Sequence, residues 1–194
     1  MPTEEQLREI HRLAVVGEAT EIAQAMGTWL SRQWLEVSRF REARDVSLQT
    51  LSLGPHATTL VNLGYAKHAL GEVTEALTYF QQALPIQQEV GDRSGLATTL
   101  TNIGGVYRAT GDMQQALTYF QQALPIRQEV GDRSGESVTR YNIAMIYRAQ
   151  GHLAEAVDAL RQVVELDKWT QHPDLAADQA MLQQLEQAWR DTQS

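Results

Sequence analysis

Residues 75–95 read EALTYFQQALPIQQEVGDRSG, and residues 115–135 read QALTYFQQALPIRQEVGDRSG. The two stretches differ only at Glu75/Gln115 and Gln87/Arg127. Catalysis needs one constellation, whereas a unit that stacks on its own kind needs the same surface each time. Working outward at a spacing of 40 residues aligns ATTLVNLG from Ala57, ATTLTNIG from Ala97 and SVTRYNIA from Ser137. The second half of the last of these units reads EAVDALRQVV from Glu155. A worn earlier copy fits at a shift of 33, with Ala43, Leu51 and Gly54 where Ala76, Leu84 and the next turn fall.

Inside each unit the period is helical. Leu100, Ile103, Gly104 and Tyr107 fall at i, i+3, i+4 and i+7, one helix face. Gly111-Asp112 ends that helix and caps the next, on which Ala116, Phe120 and Ala123 mark the inner face. The small residues Gly104, Ala116 and Ala123 allow two helices to cross closely. Gly91 and Gly131 should close the second helices, with Asp92 and Asp132 capping the next. Ser94 and Ser134 read as turn residues. Pro85 and Pro125 fall inside the second helices, where a proline removes a hydrogen bond and costs about 3 kcal/mol, so kinks are expected there.

These residues resemble the tetratricopeptide repeat. Leu100, Ile103, Gly104, Tyr107, Gly111, Ala116, Phe120 and Ala123 fit its signature positions. The unit at 57 keeps Leu60, Leu63, Gly64, Gly71, Ala76, Phe80 and Ala83 but has Lys67 where tyrosine is usual. The unit at 137 keeps Ile143, Tyr147, Gly151 and Ala156, and departs at Arg140, Ala144, Leu160 and Val163. The spacing exceeds the usual ~34 residues and is similar to that of kinesin light chains and many bacterial signalling proteins. The resemblance implies an all-α fold, an α-α superhelix (TPR solenoid) of antiparallel helix pairs. The expected organisation is a capping helix in 1–23, a degenerate unit in 24–56, units at 57–96, 97–136 and 137–172, and a capping helix in 173–194. Pro173-Asp174 opens that last helix, with Leu175, Met181, Leu182, Leu185 and Ala188 as its apolar stripe. Near the front, Trp29, Leu30, Trp34 and Leu35 are expected in core or cap.

Composition narrows the function classes. Hydrophobic residues make up 43% and charged residues 21%, a globular balance, and the net charge is −8. That charge argues against nucleic acid or an anionic membrane as main partner. With no cysteine, thiolate chemistry, disulfides and zinc–thiolate sites are excluded. The first residues do not read as a signal peptide, and no apolar run approaches the ~20 residues of a membrane span, so a cytoplasmic location is expected. The five histidines are scattered without ligand spacing, so no metal site is expected. Glu89 and Glu129 recur singly rather than as an acid–base pair, and glycines never form a phosphate loop. No cofactor and no catalysis are expected.

The helix period also locates a free face. On the first helices it carries Thr58, Asn62, Tyr65 and Ala69, then Thr98, Asn102, Gly105 and Ala109, then Val138, Asn142, Met145 and Ala149. By resemblance this face lines the concave surface. An amide offers donor and acceptor together, so Asn62, Asn102 and Asn142 could pair with the backbone of an extended peptide. A similar series serves peptide binding in kinesin light chains. Alternatively, the amides hydrogen-bond neighbouring first helices. Arg108 and Arg148 flank the face and suit an acidic group, while Tyr65, Tyr141 and Met145 offer apolar pockets. The expectation is a non-catalytic module that binds a peptide segment of a partner protein. The alternatives are a scaffold, self-associating through its terminal helices, or a sensor segment of a larger signalling protein.

Overall fold

Aspartates and glycines punctuate the chain as expected. Gly91, Gly111 and Gly131 adopt positive φ of 70°, 88° and 70°, a region that suits glycine at a helix end. The Asp92, Asp112 and Asp132 carboxylates then accept from the N–H groups of Gly95 (2.8 Å), Gln115 (3.0 Å) and Gly135 (2.9 Å). Each satisfies one otherwise orphaned donor of the helix that follows. In this computed structural model, which describes residues 3–193, the result is all-α. Met1, Pro2 and Ser194, the outermost residues of the expected caps, lie outside the described residues.

The helices are α1 (Glu4–Val16), α2 (Thr20–Glu36), α3 (Phe40–Leu51), α4 (Ala57–Ala69), α5 (Val73–Glu89), α6 (Arg93–Ala109), α7 (Met113–Glu129), α8 (Arg133–Ala149), α9 (Leu153–Thr170) and α10 (Leu175–Asp191). None is long and apolar enough to cross a membrane, among the described residues. They fall into two compact units, residues 1–95 and 96–194. The extra length of the repeat goes into the helices themselves, since α5 to α8 each have 17 residues. Ser94 and Ser134, expected in turns, lie in the first turns of α6 and α8, because the aspartate caps stand just before them. Helices α5 and α7 run on through Pro85 and Pro125.

In the first unit, Leu30, Trp34, Ala43, Val46 and Ala66 form a buried cluster, with Leu7 and Leu35 packed against it. The Arg8 and Arg39 guanidinium groups cover the Trp34 ring at 4.5 and 5.3 Å, a stacking that helps close the buried indole off from water. Trp29, expected in core or cap, is instead 46% exposed. In the second unit, Phe120 is fully buried, a burial that contributes roughly 2–3 kcal/mol. Its ring packs so tightly on Gly104 that a Cβ there would stand 2.8 Å from the ring edge. Ala116 and Ala123 show no exposure at all, as close helix crossing requires. A further cluster of Ala144, Ala156, Val157, Leu160, Val163 and Leu185 joins α8, α9 and α10.

One of the two differences between the doubled stretches has a local cause. Lys67 is buried, and its ammonium pairs with Glu72 and, at 2.7 Å, with Glu75. Hydrogen bonding to Glu72 first, and then to Glu75, holds the Lys67 pKa above the usual lysine range. Forty residues on, Tyr107 stands in place of Lys67 and stacks on Tyr119, centroids 5.5 Å apart. It offers no charge, and the glutamate is accordingly replaced by Gln115. In the next copy Tyr147 turns to His152, 6.2 Å away.

Candidate functional site

The expected binding residues lie on three first helices, and the structure spends them unequally. On α4, the Asn62 amide donates to Ser31 Oγ at 2.8 Å and, at 3.5 Å, to the Thr28 carbonyl of α2. It is thus bonded to a neighbouring first helix. Tyr65, on the same helix, is 45% exposed and leans on Phe40 with centroids 6.5 Å apart.

On α8, Asn142 donates back to the Val138 carbonyl, four residues earlier, at 2.9 Å. That bond uses one donor of the amide at an exposed place on the helix. On α6, Asn102 is half-buried, with no side-chain hydrogen bond among the described residues. Arg108 is exposed at the end of α6. Tyr141 and Met145 pack against the cluster shared with α10, and Arg148 Nη1 lies 3.0 Å from Met181 Sδ. These three fall at i, i+4 and i+7, one stripe of α8, and part of that stripe is covered by the last helix.

A second constellation was not read from the sequence. The position of Gln87 and Arg127, the other difference between the doubled stretches, becomes Asp167 in the third copy. Asp167 is 1% exposed, and its Oδ1 accepts from the Ser137 hydroxyl at 2.5 Å. Its carboxylate also faces Asp178 of α10, itself buried. Burial, reinforced by Asp167 and Asp174 and opposed by His172, pushes the Asp178 pKa up to about 6. Ser137, Tyr141, Asp167, His172 and Asp178 line a cavity of about 250 Å³. The signal was available, since one repeat position carries glutamine, arginine and aspartate in turn, an abrupt charge change at a buried place.

The raised pKa has a consequence for stability. The folded state holds the Asp178 proton from the usual carboxylate range up to about pH 6, whereas the unfolded chain does not. This contribution is therefore fully present near pH 3 and lost as pH rises through 6. Asp178→Asn should accordingly stabilise the protein by about 1–2 kcal/mol at pH 7.5 and by little or nothing at pH 4. Urea denaturation of both proteins at the two pH values measures it, and equal differences would contradict the assignment. Among the described residues no group of three or more His, Asp or Glu side chains is arranged to hold a metal ion.

Comparison with known proteins agrees with this geometry. The family model described as tetratricopeptide repeat matches residues 55–129 and 95–168, more than half of the chain. No curated protein matches. Among solved structures, BtubC (BKLC) from P. vanneervenii superimposes with a TM-score of 0.78 at 16% identity, covering 96% of this chain and 81% of that one. A Podospora anserina protein described as a kinesin light chain with nearly identical TPR-like repeats gives 0.69 at 22% identity, covering 90% and 89%. Aspartyl phosphate phosphatase F from Bacillus subtilis gives 0.77 at 14% identity, and the match spans 89% of this chain but 49% of that one. At these identities the likeness is one of fold, the TPR-like solenoid.

Proposed function

The chain belongs to the tetratricopeptide-repeat family, whose domains generally act in protein–protein interaction, and from that premise we propose that it binds a peptide segment of a partner protein without catalysing a reaction. The observation that carries the proposal is Asn102. Its amide sits half-buried on a first helix with no side-chain hydrogen bond among the described residues, and Arg108 is exposed at the end of the same helix. A half-buried amide without a partner is what an extended backbone would satisfy. Asn142 contributes an exposed carbonyl oxygen, and Tyr141, Met145 and Arg148 contribute the side of α8 that α10 leaves open. Asn62 holds α2 in place, and Tyr65 offers an apolar surface on the first unit.

The test begins with peptides selected on the wild-type chain from a random displayed library. By isothermal titration, Asn102→Ala should weaken the selected peptides about tenfold, the loss of one or two hydrogen bonds. Asn62→Ala should instead lower stability and leave affinity nearly unchanged. Affinities unaffected by Asn102→Ala would remove the amide-recognition reading.

A second reading has one observation in its favour. On α1, Ile10, Leu13 and Val16 are 41%, 54% and 72% exposed, and Ile22 at the start of α2 is 53% exposed. Such an apolar terminal face suits self-association, and hence a scaffold or a segment of a larger signalling protein. Light scattering over a concentration series decides it: a mass that doubles with concentration in the wild type but not in Leu13→Glu favours the scaffold.

A further inference from the structure

The last helix pair carries, 40 residues on, the electrostatic inverse of an arrangement that the preceding pair fills from within. Arg127 of α7 is buried, its guanidinium bonded to the Asp132 carboxylate and, at 3.2 Å, to the Thr98 hydroxyl. Moving by one repeat, Arg127 becomes Asp167 and Asp132 becomes His172, while Val138 of α8 becomes Asp178 of α10. Where the earlier pair buries a cation of its own, the later pair buries two facing carboxylates around a cavity of about 250 Å³.

Asp167 is 1% exposed, and its Oδ2 has no hydrogen-bond partner in the protein. A buried carboxylate oxygen without a donor is strongly unfavourable, and native interiors rarely keep one without a purpose. We propose that this cavity binds an organic cation, a guanidinium or primary ammonium group, seated between Asp167 and Asp178 at the place equivalent to the Arg127 guanidinium. Tyr141 gives it an aromatic wall, which favours a planar cation. The fork of a guanidinium also matches two carboxylate oxygens better than an ammonium does. At the rim, the Asp174 N–H donates to His172 Nδ1 at 3.3 Å, and the Asp174 carboxylate adds negative charge. Besides these, Ser137 and Tyr141 of α8 face the carboxylates.

The inference deepens the peptide reading by naming the side chain that the second unit would select. It rests on that reading only for the source of the cation, which is either an arginine or lysine within a peptide or a free small molecule.

The probe is N-acetyl-arginine amide, with N-acetyl-citrulline amide as its uncharged twin and calcium chloride as a simple cation, titrated into the full chain at matched ionic strength and followed by amide NMR. Arginine amide should give saturable shifts at Ser137, Asp167 and Asp178. Citrulline amide, and arginine amide with Asp178→Asn, should bind at least about tenfold more weakly, the loss of a charge-assisted hydrogen bond. Binding should also weaken below pH 6, where Asp178 takes up a proton. The wild-type spectrum of Asp178→Asn away from the cavity establishes that the variant folds. Absence of saturable shifts, or an equal response to citrulline or to calcium, overturns the proposal. If arginine amide binds while library-selected peptides ignore Asn102→Ala, the cavity stands as a small-molecule site and the peptide reading falls. If selected peptides need Asn102 but arginine amide and arginine-bearing peptides leave the cavity unshifted, the peptide reading stands and the cation site falls.

Discussion

Gly27→Ala is expected to destabilise the first unit by about 2–4 kcal/mol, by overpacking and by loss of a buried hydrogen bond. Gly27 faces α1 and α3, and a Cβ there would overlap Thr50 Oγ1 while standing 3.0 Å from His11 Nε2. Thr50 cannot simply rotate aside. Its hydroxyl donates to the Val46 carbonyl at 2.8 Å, so it must accept from His11 Nε2–H at 2.9 Å. All three groups are therefore held by one another across three helices. Urea denaturation of the first unit's signal measures the loss, and a change below about 0.5 kcal/mol would contradict the packing, being what an ordinary surface substitution gives. Introduced into Thr50→Ala, the same substitution should cost less, because the overlapping atom is gone. Burial also lowers the His11 pKa. The unfolded chain then binds the proton more readily, so stability should fall as pH drops through the histidine range.

Lys67→Met should destabilise the α4–α5 pair by about 2 kcal/mol, less than a fully buried ion pair would lose because water reaches the glutamates. The substitution leaves Glu72 and Glu75 without the ammonium they share, with Arg44, 4.0 Å from Glu72, to offset them in part. The double change Lys67→Tyr with Glu75→Gln should be tolerated within about 0.5 kcal/mol, since it removes the ammonium together with one of its two partners and leaves Glu72 near Arg44. It installs the set found 40 residues later, and Tyr79 is present to receive the ring as Tyr119 receives Tyr107. Chemical denaturation of both variants checks this. A double variant as unstable as Lys67→Met would mean that the sets are not interchangeable.

Local features were the legible ones. The caps at Asp92, Asp112 and Asp132, and the close approach of Gly104 to Phe120, follow from residues a few positions or half a repeat apart. Periodicity therefore exposes them. The helix starts at Arg93 and Arg133 were less plain, because serine and glycine in GDRSG carry turn propensity that the aspartate cap overrides. On the candidate face, the period identified which residues share a side but not what each one touches. Asn62 and Asn142 occupy the same repeat position, yet one bonds α2 and the other its own helix. Asp167 was legible only as a charge change at its repeat position, and the site built around it was not. Its neighbours come from α8 and from α10, and α10 departs from the repeat consensus that a spacing argument relies on.

The lysine–glutamate set also bears on how the chain avoids mistakes while folding. Helices α5 and α7 are nearly the same helix twice, and a folding chain could dock either one against α4. In the wrong arrangement Gln115 would meet the Lys67 ammonium and leave it half-neutralised in a buried place, while Glu75 would meet the uncharged Tyr107. Either error forfeits the Lys67–Glu75 ion pair that only the correct neighbour supplies, so a single one of the two substitutions in 21 residues gives otherwise interchangeable copies an address.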